Sequence, residues 1–211
     1  MRVSGRRPGH TREEPETTVT NFANFRTMEP ETKDLVLNLM QNADRQRSAF
    51  MSFVNIWMAF NGWMAAVTGR ETDADMIRDF SANDRLIDAY AALMEGSRPF
   101  HRLVSDFATM WPVLNVRDVH RKLGRDAFWR LQRDDFAAAC EAANVKRQPT
   151  VWTAGDTASW EQLLRTIYQV RCNMFHGEKS PQNVRDRPLI LKSDRILRMF
   201  LAETDCFEWH E

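Results

Sequence analysis

The sequence contains few cysteines, and their placement excludes two common structural frameworks. The 211 residues include three cysteines, Cys140, Cys172 and Cys206, and these are far apart and odd in number. No Cys-x-x-Cys or Cys-x-x-His spacing occurs. A disulfide framework needs paired cysteines, and a structural zinc site needs closely spaced ligands. We therefore expect neither, and we expect no bound metal and no cofactor.

The chain also lacks a long uninterrupted apolar run and an excess of charge of either sign. Its most apolar stretch, "AFMSFVNIWMAFNGWMAAV" (49–67), is interrupted by polar residues and glycine, whereas a membrane span needs roughly 18 or more apolar residues. The N-terminal "MRVSGRRPGHTREEPETT" has no apolar segment of the kind found in secretory signals. Lys and Arg total 29, as do Asp and Glu. We expect a cytoplasmic protein without membrane contact, in which any nucleic-acid binding needs a local basic patch.

Alternation of polar and β-branched residues is nearly absent, and the apolar periodicity is helical. This pattern predicts helices over 31–67, with a possible break near 42–45, and over 73–81, 83–95, 98–110, 126–145, 158–176 and 189–201. Gly69 ends the first of them, and Asp156 or Thr157 can cap the helix that starts at 158. The sequence therefore predicts an all-α fold, a compact helical bundle. Residues 1–28 are expected to form a flexible tail, and residues 29–211 one domain.

The helix predicted over 158–176 carries a charge at a position of its apolar stripe. Four residues after Ile167, the next stripe position is Arg171. A buried guanidinium needs a partner or a cavity, so Arg171 either pairs with an acidic side chain or faces a site. His176 lies in the last turn before Gly177, where the helix dipole favours a cation. The two side chains are about 140° apart around the axis, so a second copy of the helix, related by a two-fold axis, would be needed to bring such groups together.

Basic residues are concentrated around this segment in a chain of zero net charge. They are Arg165, Lys179, Arg185, Arg187, Lys192, Arg195 and Arg198. They could contact phosphates. The alternative is a solvated helix face on which these cations pair with Glu178, Asp186 and Asp194.

The residues from Arg171 to His176 fit the R-x4-6-H motif of the HEPN superfamily, the higher eukaryote and prokaryote nucleotide-binding domains. The wider string "WEQLLRTIYQVRCNMFHGEKS" resembles bacterial members, in which Ile-Tyr-x-Val-Arg leads into Phe-His-Gly-x-Lys and an Arg-Asp pair and a final helix follow. Here that pair is Arg185-Asp186. Upstream, "FVNIWMAFNGWM" is similar to the helix that precedes the motif in such proteins. The resemblance covers roughly residues 45–202.

The resemblance implies a HEPN-type helical bundle that forms a homodimer through its motif helices. For active members it implies metal-independent RNA cleavage, with the RNA 2′-OH as nucleophile and a composite site built from both subunits. Carried over, His176 would be the general acid/base and Arg171 would hold the scissile phosphate. Asn173 and Tyr168 are the expected supporting residues. Lys179, Arg185 and Arg187 are the expected RNA-binding residues.

The expected function is thus a HEPN-type endoribonuclease. One expected role is that of a toxin or anti-phage effector, and a toxin would have an antitoxin protein as a partner. The first alternative is a non-catalytic interaction module in which Arg171 pairs with an acid and His176 caps the helix. The zero net charge favours it, as does Cys172 at the position after the arginine, where many active members have a polar residue. A second alternative is a nucleotide-binding domain that contacts phosphate without chemistry.

Overall fold

The computed structural model describes residues 20–175 and 186–210, and most of these residues are helical. The first six helices are α1 (Asn24–Thr27), α2 (Pro30–Arg45), α3 (Ala49–Thr68), α4 (Asp73–Ser81), α5 (Asp84–Gly96) and α6 (Arg98–Ala108). There follow β1 (Val113–Leu114), α7 (Val116–Leu123), α8 (Ala127–Arg130), α9 (Arg133–Ala142), β2 (Arg147–Gln148), α10 (Trp160–Phe175), α11 (Asp186–Thr204) and a 3-10 helix (Cys206–Glu208). The two strands, of two residues each, form one short antiparallel ladder. The predicted all-α class is confirmed for the described part of the chain.

Helix α3 lies at the centre of the bundle because it is apolar on nearly every side. The Ser48 hydroxyl caps its first turn by accepting a hydrogen bond from the Met51 N–H at 3.5 Å. Gly69, at φ 63°, ends it in the left-handed conformation that glycine adopts at no steric cost, as predicted. Helices α2, α4 and α11 pack around it. A Cβ on Gly62 would come within 2.9 Å of Val36 Cγ2, so glycine there allows α2 and α3 to approach closely.

By length and composition alone, α3 could also cross a membrane, and it is the only such helix within residues 20–175 and 186–210. Half of its apolar window is nevertheless buried inside the protein. The fully buried side chains of α3 include four large aromatic rings, those of Phe53, Trp57, Phe60 and Trp63. This burial is typical of the core helix of a soluble protein.

Residues 20–28, predicted to belong to a flexible tail, are instead part of the domain. Phe25, on α1, is 0% exposed and lies against Phe207, with ring centroids 4.9 Å apart. Phe22 stacks on Trp63 at 5.9 Å, and the Asn21 N–H donates to the Val67 carbonyl at 2.8 Å. The boundary predicted at residue 28 was therefore wrong, because two phenylalanines in a polar stretch carry no helical periodicity yet fill the core.

Most of the other predicted boundaries lie close to those of the structure, although α7 had no predicted helix and α10 begins at Trp160, two residues later than predicted. The break in the first long helix falls just after Arg45, and α3 begins at Ala49. The segment predicted as one helix over 126–145 divides into α8 and α9, because Leu131 and Gln132 are extended and Leu131 packs inward. Helix α6 ends at Ala108, two residues earlier than predicted. Helix α11 extends beyond the predicted range of 189–201 at both ends, because its end residues are mostly polar and lie outside the apolar periodicity.

Helices α7, α8 and α9 enclose a second, small hydrophobic cluster of their own. It consists of Val119, Ala127, Phe136, Cys140 and Val145. The β1–β2 ladder closes this unit, with Val113 opposite Gln148 and Leu114 opposite Arg147. In the sequence, this unit lies between α6 and α10, which belong to the main core.

The burial of α1 generates a stability prediction. Replacing Phe25 with Ala should lower the free energy of unfolding by about 3 kcal/mol or more, because it leaves a cavity in the core. Urea denaturation followed by circular dichroism measures this change. The matched control is Leu35→Ala on α2, where the side chain is 58% exposed and the expected loss is within about 0.5 kcal/mol. Equal losses in the two variants would show that α1 does not pack as described.

Candidate functional site

The first turn of α10, the helix that carries Arg171, is fixed by a reciprocal pair of hydrogen bonds. The Gln162 N–H donates to Ser159 Oγ at 3.2 Å, and the Ser159 N–H donates to Gln162 Oε1 at 3.0 Å. This is a capping box, which satisfies two backbone donors. The cap is thus Ser159, and the prediction of Asp156 or Thr157 was wrong. The Gln162 amide also donates to the Val151 carbonyl at 3.1 Å, which holds the preceding loop against the helix.

Helix α10 packs an apolar stripe against the core, beside the buried polar residues Thr166, Gln169 and Asn173. The stripe consists of Trp160, Leu163, Leu164, Ile167, Val170 and Met174. Val170, three residues after Ile167, fills the stripe position at which the sequence suggested Arg171. The Arg171 side chain lies at the edge of this stripe and is 27% exposed. The charge therefore borders the core and is reachable from solvent.

Asp73, the first residue of α4, holds the Arg171 guanidinium. Arg171 Nη2 lies 2.9 Å from Asp73 Oδ2, and the Asn61 amide donates to Asp73 Oδ1 at 2.8 Å. Both carboxylate oxygens therefore have partners. The N-terminal end of α4 also favours a negative charge in its first turn. This arrangement fixes the position of Arg171 through three helices, because Asn61 is on α3.

Trp57 of α3 supports the same arginine from the core side. The Arg171 guanidinium carbon lies 5.8 Å from the Trp57 ring centroid, within range of a cation–π attraction. Tyr168, one turn earlier on α10, stacks on the same ring with centroids 6.0 Å apart and planes 23° apart. Trp57 itself is 1% exposed. Arg171 and Tyr168 therefore share one rigid support and lie side by side on the outer edge of α10.

The environment of Tyr168 keeps its hydroxyl protonated. Burial raises the pKa of Tyr168 above its ordinary value, and the neighbouring Cys172 and Asp73 raise it further. A phenol with a raised pKa stays neutral at physiological pH. Tyr168 can therefore donate a hydrogen bond to a phosphate oxygen, and it is unsuited to act as a base.

Asn173 is occupied by a structural network on another side of α10. Its Oδ1 accepts from the Val116 N–H at 3.1 Å and from Gln169 Nε2 at 3.0 Å, and its Nδ2 donates to the Leu114 carbonyl at 2.8 Å. Two residues along a helix place its side chain about 160° from that of Arg171. Its amide therefore ties α10 to the segment between β1 and α7, and the structure does not bring it beside Arg171.

Some of the remaining predicted site residues lie outside the part of the chain that the structure describes. His176, Lys179 and Arg185 lie outside the described residues. Arg187 is exposed in the first turn of α11. The structure therefore brings together Arg171 and Tyr168 of the predicted site, with the added support of Asp73, Asn61 and Trp57.

The predicted basic patch is partly compensated by acids. Arg165 Nε lies 2.8 Å from Glu161 Oε1, and Lys192 Nζ lies 3.3 Å from Asp106 Oδ2. Arg198 Nε lies 3.1 Å from Asp194 Oδ2. Asp194 is one of the acids expected to pair with these cations if they form a solvated helix face. Arg187 and Arg195 are exposed and form no ion pair within residues 20–175 and 186–210. The patch thus contains both neutralised and uncompensated cations.

Asp73 was not predicted as a site residue, although a local signal in the sequence marks its helix. The Thr72 hydroxyl accepts from the Asp75 N–H at 3.2 Å, and this Thr-x-x-Asp pattern places Asp73 in a first helical turn. Within the described residues, no group of three or more His, Cys, Asp or Glu side chains is placed to hold a metal. No protein-family model, curated protein or solved structure matches the chain. The function is therefore inferred from the residues of the site and from the motif.

The Asn173 network generates a stability prediction. Asn173→Ala should lower the free energy of unfolding by about 3 kcal/mol, because it leaves the Val116 N–H and the Leu114 carbonyl buried without their partner. The control on the same helix is Glu161→Ala, which removes only a surface ion pair and should cost less than about 1 kcal/mol. Chemical denaturation of both variants checks this. An Asn173→Ala variant as stable as the wild type would show that the amide does not anchor α10.

Proposed function

We propose that this protein is a HEPN-type, metal-independent endoribonuclease that acts as a homodimer. The observation that supports this most is the placement of Arg171 on the motif helix. Its guanidinium is fixed by Asp73 at 2.9 Å and lies over Trp57, yet the side chain remains 27% exposed. A rigidly held, accessible guanidinium is suited to bind a phosphate and to stabilise the charge that develops on it. His176 follows five residues later.

The proposed reaction is an intramolecular transesterification of RNA. The ribose 2′-oxygen attacks the adjacent phosphorus, a new O2′–P bond forms, and the P–O5′ bond breaks. A histidine accepts the 2′-OH proton, and a protonated histidine supplies a proton to the leaving 5′-oxygen. The products are a 2′,3′-cyclic phosphate and a 5′-hydroxyl. Arg171 would contact the non-bridging oxygens, and the neutral Tyr168 hydroxyl would donate a hydrogen bond to the same group.

The proposed dimer uses the outer face of α10. Within the described fold, the side chains of α10 that are not buried lie together along this face, and they are Glu161, Gln162, Arg165, Tyr168, Arg171 and Cys172. At the spacing of an ideal helix, Arg171 and His176 would be about 140° apart around the axis, so one helix would not direct both to a single phosphate. A second α10, related by a two-fold axis, would bring in the missing groups. The dimer would thus assemble two arginines and two histidines in one cleft.

The remaining parts of the proposal rest on the resemblance. Lys179, Arg185 and Arg187 would contact RNA phosphates flanking the cleft, as expected for cations beside the motif. A toxin or anti-phage effector in the cytoplasm is the role proposed for such an enzyme, with an antitoxin protein as partner. HEPN-type topology is likewise proposed, since the fold supports only the all-α class.

A second candidate function is a non-catalytic interaction module, and the Arg171–Asp73 ion pair favours it. That pair is what an arginine with a purely structural role would form, and Asn173 is also engaged inside the fold. In this reading Arg171→Ala would destabilise the protein, and no RNA would be cleaved. The Arg171–Asp73 ion pair does not distinguish the two functions, because a carboxylate partner also orients an arginine that binds phosphate. A measurement of RNA cleavage distinguishes them.

The proposal predicts that purified wild-type protein cleaves single-stranded RNA in the presence of EDTA and that His176→Ala does not. The chelator removes the contribution of metal-dependent nucleases, and the loss of the histidine removes proton transfer, which is worth about 100-fold or more in rate. Gel electrophoresis measures the rate, and mass spectrometry detects the cyclic phosphate end. The matched control, His120→Ala on α7, should retain wild-type activity. Full activity in His176→Ala, or none in the wild type, would contradict the proposal.

Dimerisation is read out in the same samples with a thiol-specific bifunctional maleimide. Cys172 lies half-buried on the outer face of α10, whereas Cys140 and Cys206 are buried. Burial also raises the pKa of Cys206 to about 12, so its thiol stays protonated and unreactive. We expect a covalent dimer in the wild type and in His176→Ala, and none in Cys172→Ser. A chain that remains monomeric after treatment would contradict a dimer built on α10.

A further inference from the structure

A groove between α6 and α11 carries a concentration of positive charge that the proposed reaction does not use. Its cavity volume is about 680 Å³. The charged residues that line it are Arg98 and Arg102 from α6, Lys192, Arg195 and Arg198 from α11, and one acid, Asp106. None of the lining residues belongs to α10. The groove is therefore formed by different residues from the candidate site at Arg171.

The charges in the groove are only partly balanced. Lys192 pairs with Asp106 at 3.3 Å, and Arg198 pairs with Asp194 and with Asp44. The other three cations, Arg98, Arg102 and Arg195, are exposed and form no ion pair with any residue of the described ranges. A chain of zero net charge thus concentrates three uncompensated guanidinium groups around one concave surface. Clefts lined by one sign of charge focus the field and attract ligands of opposite charge.

The arrangement of the three arginines favours an extended anion over a single one. Arg98 and Arg102 are one helical turn apart on α6, which separates their backbone positions by about 6 Å along the axis. Arg195 approaches from the other wall of the groove. Leu103 and Met199 contribute apolar surface to the same groove. Several cations with apolar surface nearby suit a single-stranded nucleic acid, because the cations can bind its phosphates and the apolar surface can contact its sugars and bases.

We propose that this groove binds the sugar–phosphate backbone of a single-stranded RNA, with Arg98, Arg102 and Arg195 as its phosphate contacts. The identification of the polyanion as RNA rests on the proposed ribonuclease function. The positive charge of the groove is observed independently of that proposal. The groove holds the substrate strand outside the cleavage cleft and supplies affinity without sequence preference. Arg195, Lys192 and Arg198 are cations near the motif in the sequence, whereas the two arginines of α6, on the opposite wall, carry no signal in the sequence.

The test measures binding separately from cleavage. The probe is a fluorescein-labelled single-stranded RNA carrying 2′-O-methyl groups, which cannot undergo 2′-OH attack, and the readout is fluorescence anisotropy in EDTA over a range of salt concentrations. The test variant is Arg98→Gln/Arg102→Gln/Arg195→Gln. The matched control is Arg117→Gln/Arg125→Gln/Arg133→Gln, which removes the same charge from exposed arginines of the α7–α9 unit. Circular dichroism confirms that both variants are folded.

We expect the groove variant to bind at least about tenfold more weakly at moderate salt, and its slope of log affinity against log salt to fall by about 2. The control should keep the wild-type affinity to within about twofold, since its arginines lie off the RNA path. Equal weakening in the two variants would overturn the proposal, because it would show a non-specific charge effect. So would unchanged binding in the groove variant, or binding by wild type of phosphatidylserine vesicles in place of RNA.

The result of this binding test can be distinguished from the result of the cleavage test for the proposed function. A wild type that binds the blocked RNA through the groove but cleaves no unmodified RNA would contradict the ribonuclease and leave the groove assignment standing. A wild type that cleaves RNA while the groove variant binds and cleaves normally would contradict the groove alone.

Discussion

Helix α3 must be enclosed, and this requirement organises the rest of the molecule. Its aromatic side chains face several directions, so α1, α2, α4 and α11 all pack against it. Trp57 illustrates the consequence, because the ring that fills the core also supports Arg171 and Tyr168 on the outer helix α10. The candidate site is thus an outward extension of the core. A substitution that moves α3 would move the guanidinium with it.

The placement of charge follows a similar logic. Where a cation borders the core, the fold supplies an acid, as Asp73 does for Arg171. The same holds for Arg198, whose partner Asp194 is buried and also accepts a hydrogen bond from the Ser52 hydroxyl at 2.6 Å. Burying either charge without its partner would be costly. In the α6–α11 groove, Arg98, Arg102 and Arg195 lie on the surface, where solvation makes such pairing unnecessary, and they remain available to an anionic ligand.

Local patterns in the sequence predict most of the helices, and long-range contacts explain what they miss. Apolar periodicity with Gly69 as a stop signal predicts the end of α3 and both ends of α4 closely. The same patterns cannot show that Phe25 enters the core, since one aromatic residue in a polar stretch has no period. The Arg171–Asp73 pair joins residues far apart in the chain, so the sequence predicts that Arg171 needs a partner without identifying it. The walls of the basic groove meet only in the folded protein for the same reason.

We propose that Asp73 holds Arg171 for catalysis, and Asp73→Asn tests this most directly. The asparagine keeps the size of the side chain and removes the charge that fixes the guanidinium. RNA cleavage in EDTA and the midpoint of thermal unfolding are measured together, beside Asp88→Asn, which removes an exposed carboxylate from α5. The account predicts a folded Asp73→Asn variant whose cleavage rate falls at least about tenfold, while Asp88→Asn cleaves normally. A folded Asp73→Asn variant that cleaves RNA at the wild-type rate, or a wild type with no activity to lose, would contradict it.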